Sequence, residues 1–198
     1  MKNRTTLVVT LLFTVASFAQ SHTVEITKNA QTYYDYMTAK NFDAVLDYMY
    51  PKVFDMAPRA QMKAGMEQMF SSPDMKIEFV SNDITKVSEE KVVDDIKYAA
   101  VFYNSKMKMT FVSELDKPQE ERKGFFDIMK STMDSQFGGE NVTPDFKTMS
   151  LIVNMNATMF AIKDPQYTGW KFLGNDDAMK MLVDSIVPES VRMELIKE

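Results

Sequence analysis

The spacing of apolar residues first switches near residue 75, and that switch restricts the fold more than any motif does. Before it, apolar side chains recur every three or four residues; in the strands that follow they alternate. In the stretch 24–40, Ala30, Tyr33, Tyr34 and Met37 fall at helical spacing. Asn41 is a good N-cap for a second helix, "FDAVLDYMY", with Asp43 in its first turn and Val45, Leu46 and Met49 on its buried side. Pro51 stops that helix, because the residue before a proline is pushed out of helical geometry. Pro58 starts a third, in which Met62, Met66 and Met69 lie at i, i+4 and i+7.

Strands follow. "MKIEFV" at 75–80 alternates apolar and charged residues, and 91–103 and 106–115 read as a hairpin turning at Asn104-Ser105. The run 147–163 is long enough to cross a whole sheet, and "WKFLG" at 170–174 pairs back on it. An amphipathic helix runs to Pro188, and "ESVRMELIKE" adds a last turn or two. Between the strands, 116–146 is an insertion whose Phe125, Phe126, Met129, Met133 and Phe137 form an apolar stripe ended by Gly138-Gly139. Such a stripe packs as a lid on its own domain or stays exposed for docking, and the lid is the expected outcome. Helices first and antiparallel strands after make an α+β order.

Lys2 and Arg4 precede the apolar run "TTLVVTLLFTVASFA", with Ser17 and Ala19 at the small-residue positions of a cleavage site. This predicts a signal peptide over 1–19 and a soluble, exported domain over 20–198, in the periplasm or outside the cell. The run is short for a membrane span and no stop-transfer segment follows, so stable membrane insertion is not expected. The chain holds no cysteine, so no lipid anchor and no disulfide supports it. About 180 residues suffice for one core. Removing Lys2 and Arg4 from the 23 basic residues leaves 21 against 28 acidic ones, a formal −7. A negative surface argues against nucleic acid as a partner, since that needs clustered lysine and arginine.

The single histidine, His22, falls close to the predicted mature N-terminus and reads as a solvent-exposed tail residue. With no thiol and no second histidine, cysteine nucleophiles, histidine triads and zinc sites of His or Cys ligands are excluded. No glycine-rich phosphate loop occurs, and no cofactor is implied. The 18 methionines include sets that read as soft copper ligands, but helical and strand spacing accounts for them as core, so no metal is expected. "NVT" at 141 and "NAT" at 156 match glycosylation sequons.

The segment "YYDYMTAKNFDAVLDYMYPKVF" has an aromatic helix, a small polar turn, Asp-Ala and a second helix before the first strand. It resembles the nuclear transport factor 2-like superfamily, shared with ketosteroid isomerases and polyketide cyclases, and "AIKDPQYTGWKFLG" is similar to that family's closing hairpin. The resemblance covers roughly 24–115 and 147–174 and implies a cone-shaped α+β barrel: helices over a strongly curved antiparallel sheet. In isomerase-like members a first-helix tyrosine and an aspartate after the second helix meet inside the cone. Tyr33 matches the tyrosine; Asp55 misses the aspartate position, held by Met56, by one residue. In a strand such a slip turns a side chain to the other face, so a catalytic Tyr33–Asp55 pair is not expected.

Asn154, Asn156 and Thr158 alternate along the long strand on the face shared with Ile152, Phe160 and Ile162. A polar stripe among apolar walls is the lining a ligand cavity needs. Within the implied cone the ligand-binding candidates are Tyr33, Tyr34, Met37, Asn154, Asn156, Thr158, Phe160 and Trp170. The expected function is non-catalytic binding of a small apolar molecule or a partner peptide. The alternatives are a carbonyl proton-transfer isomerase or cyclase, and a homodimeric assembly module of the cell envelope.

Overall fold

The computed structural model describes residues 5–197, with side chains over 22–197 except at residue 178. The charged start of the predicted leader, residues 1–4, lies outside the described residues. Helix α1 spans Thr5–Thr38, α2 Phe42–Tyr48 and α3 Arg59–Phe70, with a 3₁₀ turn at Pro51–Asp55 between the last two. Strands β1 (Met75–Val87), β2 (Lys91–Val93) and β3 (Ile96–Phe111) follow, then α4 (Gln119–Phe137). Strands β4 (Val142–Asp145), β5 (Ser150–Lys163) and β6 (Lys171–Gly174) precede the closing helices α5 (Lys180–Ile186) and α6 (Glu189–Leu195). The architecture is α+β, with one six-stranded antiparallel sheet that does not close on itself.

Two long strands organise that sheet. β3 and β5 pair without a register shift from Lys97↔Lys163 to Thr110↔Ser150. β1 and β2 both pair with β3, and β4 and β6 both pair with β5. Because side chains alternate along an unbroken strand, each face can be followed from end to end. Ala99, Val101 and Met109 of β3 share a face with Leu151, Val153, Met159 and Ala161 of β5. Helix α1 covers one end of that face through Ile26, Ala30 and Tyr34, and α4 covers the other through Phe126. On the opposite face Tyr98, Ala100, Phe160 and Ile162 are sealed by Tyr50, Val53, α5 and α6. The rest of that face, around Asn104, Lys106 and Asn156, is exposed.

Lys40 ends α1 in the left-handed region (φ 56°), with Asn41 N–H bonded to Tyr36 C=O and Lys40 N–H to Met37 C=O. This is the Schellman closure. The Asn41 side chain then caps α2, accepting from Ala44 N–H at 3.3 Å.

Several expectations are corrected. Asn104-Ser105 is not a turn: both residues are paired on each side, and the buried Ser105 hydroxyl donates to Asn82 Oδ1 at 2.7 Å. The turn lies at Asp94-Asp95, both with positive φ (50° and 64°), the two-residue geometry that joins twisted strands. β1 runs beyond 80 to Val87 because shifts near Val80 and Thr85 keep it in step with β3. The 116–146 segment is not merely an insertion, since its end supplies β4. In α3 no residue is fully buried and Met69 is 45% exposed, so its methionine spacing does not mark a core stripe. His22 is no free tail: it lies in α1, half-buried, with Nδ1 3.3 Å from Glu90.

Candidate functional site

The residues expected to share a cavity divide between the two faces of the sheet. Tyr34 and Trp170 are buried on the α1 face, and Tyr33 packs against them. Phe160 is buried on the opposite face beneath the C-terminal helices. Asn154, Asn156 and Thr158 share its side of β5 by alternation. Sheet thickness therefore separates the tyrosines from the polar stripe, and they cannot line one pocket. Phe160 and Ile162 on that face do not imply a roofed stripe, because the C-terminal helices reach one end of it only.

On the α1 face the aromatic rings fill the space that a cone would leave hollow. Tyr33 meets Tyr34 edge-on at 5.1 Å and lies 5.8 Å from Phe172, while Tyr34 lies 4.9 Å from Tyr103. The Tyr34 hydroxyl points at the Met159 thioether, 3.9 Å away. Burial, and then the nearby Tyr103 hydroxyl, push the Tyr33 pKa up to about 12 and move Tyr34 in the same direction. Trp170 is 2% exposed, its indole N–H has no partner among the described residues, and Lys163 sits over its ring at 5.6 Å. Asp55 is exposed at the end of the 3₁₀ turn. It is not in a strand, so the one-residue slip there does not act through strand alternation. Tyr33 sits among rings and Asp55 in solvent, and they form no acid–base pair.

Five surface depressions of about 230–450 Å³ stand out. None is lined by Tyr33, Tyr34 or Trp170. Met37 borders one of about 230 Å³ with Lys40 and Phe70. Asn154 and Asn156 border another of about 250 Å³ on the open face, beside Asp83, Asn104 and Lys106. Thr158 and Phe160 border none of the five. Among the described residues no cluster of three His, Cys, Asp or Glu side chains is placed to hold a metal.

The largest of these five, about 450 Å³, lies between α4 and β4. Its helical wall is Gln119, Lys123, Phe126, Asp127 and Lys130, which recur at the spacing of one helix face, and its other wall is Pro144 and Phe146. The turn after β4 sets that second wall. Asp145 accepts from the backbone N–H of Lys147 and Thr148 and from the Thr148 hydroxyl at 2.7 Å. The hydroxyl bond in particular holds the Asp145 carboxyl below its usual range. Met149 takes a left-handed conformation (φ 51°) and donates to Phe146 C=O at 3.3 Å. Phe146 is thereby presented edge-on to Phe126 at 5.7 Å. The Arg122 guanidinium stacks on Phe146, 5.2 Å from the ring centre, and its Nη2 donates to Phe146 C=O at 3.3 Å.

The sequence reading contained Phe126 as part of a stripe but missed Phe146, Pro144 and the cations. Lys123, Phe126 and Lys130 at i, i+3 and i+7 were the available signal. Phe146 gave none, since its position depends on β4 joining the sheet. No family model, no curated protein and no solved structure matches this chain.

Proposed function

We propose that the chain is an exported, non-catalytic binding domain that takes a small apolar molecule, or an apolar side chain of a partner, in the groove between α4 and β4. The observation carrying this reading is the groove itself: about 450 Å³, floored by Phe126 and Phe146 with Pro144 beside them. That volume falls in the range of small-molecule sites, and an apolar floor with a few polar groups at its rim is their usual chemistry. Its position differs from the cone interior that the resemblance implied, where packed rings leave no comparable space. The helix–helix–sheet order still supports a nuclear transport factor 2-like fold. Export rests on the charged start, apolar run and Ala19 site of the first residues. Among the described residues no helix is long and apolar enough to cross a membrane.

Native mass spectrometry of the protein purified from its own host tests the reading. A retained small molecule that is lost on Phe146→Ala is expected. An unliganded protein that also fails to bind hydrophobic dyes would refute it.

A second reading, a homodimer formed through the open sheet face, draws on Asn104, Lys106 and Asn156, which are exposed there. Sedimentation showing monomer alone at high concentration would remove it.

A further inference from the structure

We infer that the ligand of the α4–β4 groove is an amphiphile with an anionic head: an apolar body over Phe126 and Phe146, and a carboxylate or sulfonate at the Arg122 end. The inference rests on the proposed binding role of that groove and adds the ligand's charge. Its basis is an imbalance of ion pairs around the groove. On the helical wall Lys123 lies 3.4 Å from Asp127, and Lys130 pairs with Asp134 at 2.5 Å. These two lysines are neutralised by carboxylates one turn away. Arg122 has no carboxylate partner among the described residues. Among the described residues its side chain makes one hydrogen bond, to the Phe146 carbonyl, and its Nε is buried without a partner.

A guanidinium carries five donors in a planar fork suited to a two-oxygen anion. Arg122 spends one donor on a carbonyl and rests its flat face on the ring that forms the groove's wall. Stacking fixes the guanidinium without neutralising it. The guanidinium reaches the groove through Phe146, which lines it, and among the described residues no carboxylate compensates its charge, on a protein whose overall charge is negative. That local reversal of sign is what an anionic head beside an apolar body requires, and a neutral apolar ligand would leave it unused. The single carboxylate on the groove wall, Asp127, is held by Lys123 and does not oppose the head.

The test uses two fluorescent probes that share one apolar body: 1-anilinonaphthalene-8-sulfonate, which carries a sulfonate, and N-phenyl-1-naphthylamine, which does not. The expected result is tighter binding of the sulfonate by about tenfold, the scale of one hydrogen bond to a charged group, with the preference shrinking as salt is added. Arg122→Gln should abolish the preference while the neutral probe still binds. Lys180→Gln, at a lysine outside the groove that pairs with Asp184, should leave it unchanged.

Equal affinity for both probes would overturn the anionic head and leave the groove reading standing. Failure of both probes to bind, or binding indifferent to Phe146→Ala, would overturn the groove reading as well. A preference that survives Arg122→Gln would remove Arg122 from the assignment. Should that variant not fold, the salt dependence of the native protein decides: a preference unchanged by salt refutes the inference.

Discussion

The Tyr50 hydroxyl donates to Asp164 Oδ2 at 2.8 Å, joining the start of the 3₁₀ turn to the loop that follows β5. Both residues are buried, at 1% and 2% exposure. The second carboxylate oxygen accepts from Gln166 N–H at 2.9 Å, so Asp164 also forms the turn into the final hairpin. A carboxylate with these two partners is satisfied, and one deprived of Tyr50 is not. Tyr50→Phe keeps the ring and its edge-on contact with Tyr167 but strands a buried acceptor, with an expected cost of about 1–3 kcal/mol. Urea unfolding of the variant measures it. A change within a few tenths of a kcal/mol would mean that water replaces the hydroxyl there.

Alkaline pH should unfold the protein through its buried tyrosines. Burial raises the pKa of Tyr33 to about 12 and raises those of Tyr34, Tyr50, Tyr98 and Tyr103. The fold therefore prefers the neutral phenols more than the unfolded chain does. That preference is complete below the ordinary tyrosine value near 10 and is lost as pH rises toward the folded values. Circular dichroism and the tyrosinate absorbance should change together above about pH 10 in one cooperative step. Independent titration of these tyrosines in a folded protein would contradict the packing described for them.

Helix α4 is seated on the sheet through Phe126. Phe126 is 3% exposed and packs with Val142, Met149 and Leu151. Phe126→Ala should cost about 3–5 kcal/mol, as deletion of a buried aromatic ring does. It should also raise amide exchange over α4 and β4 together. A movable lid would show little loss of global stability on the same change.

The β2–β3 turn offers a gain. Asp94 and Asp95 both occupy the left-handed region, where a side chain is strained and glycine is not. Asp95→Gly makes the Asp-Gly sequence favoured in such turns and should stabilise the hairpin by up to about 1 kcal/mol. Thermal unfolding checks the sign.

That turn also shows what was legible in the sequence and what was not. Periodicity located the second part of α1, from residue 24, together with α2 and β5, because burial on one face fixes the spacing of apolar residues. It failed at Asp94-Asp95, where two aspartates carry a conformation usually assigned to Asn-Gly. It failed at Asn104-Ser105, where a turn-like pair sits inside a strand held by neighbours on both sides. Tyr33, Tyr34 and Trp170 are expected to line a cavity, but alternation alone does not say which face of the sheet a helix lands on. The tyrosine helix and the Asn154–Thr158 stripe were therefore assigned to one cavity although the sheet divides them. The groove lay beyond reach for a related reason: its Phe146 wall exists only once a four-residue strand has joined β5.

Every other strand of the sheet pairs with β3 or β5, and those two pair with each other across dozens of intervening residues. Assembly must therefore await one distant encounter before α1, α4 or the C-terminal helices have a surface to lie on. Chains dominated by such remote contacts reach their native state slowly. Through that interval the two longest apolar strands stand open to chaperones, to proteases and to each other's copies.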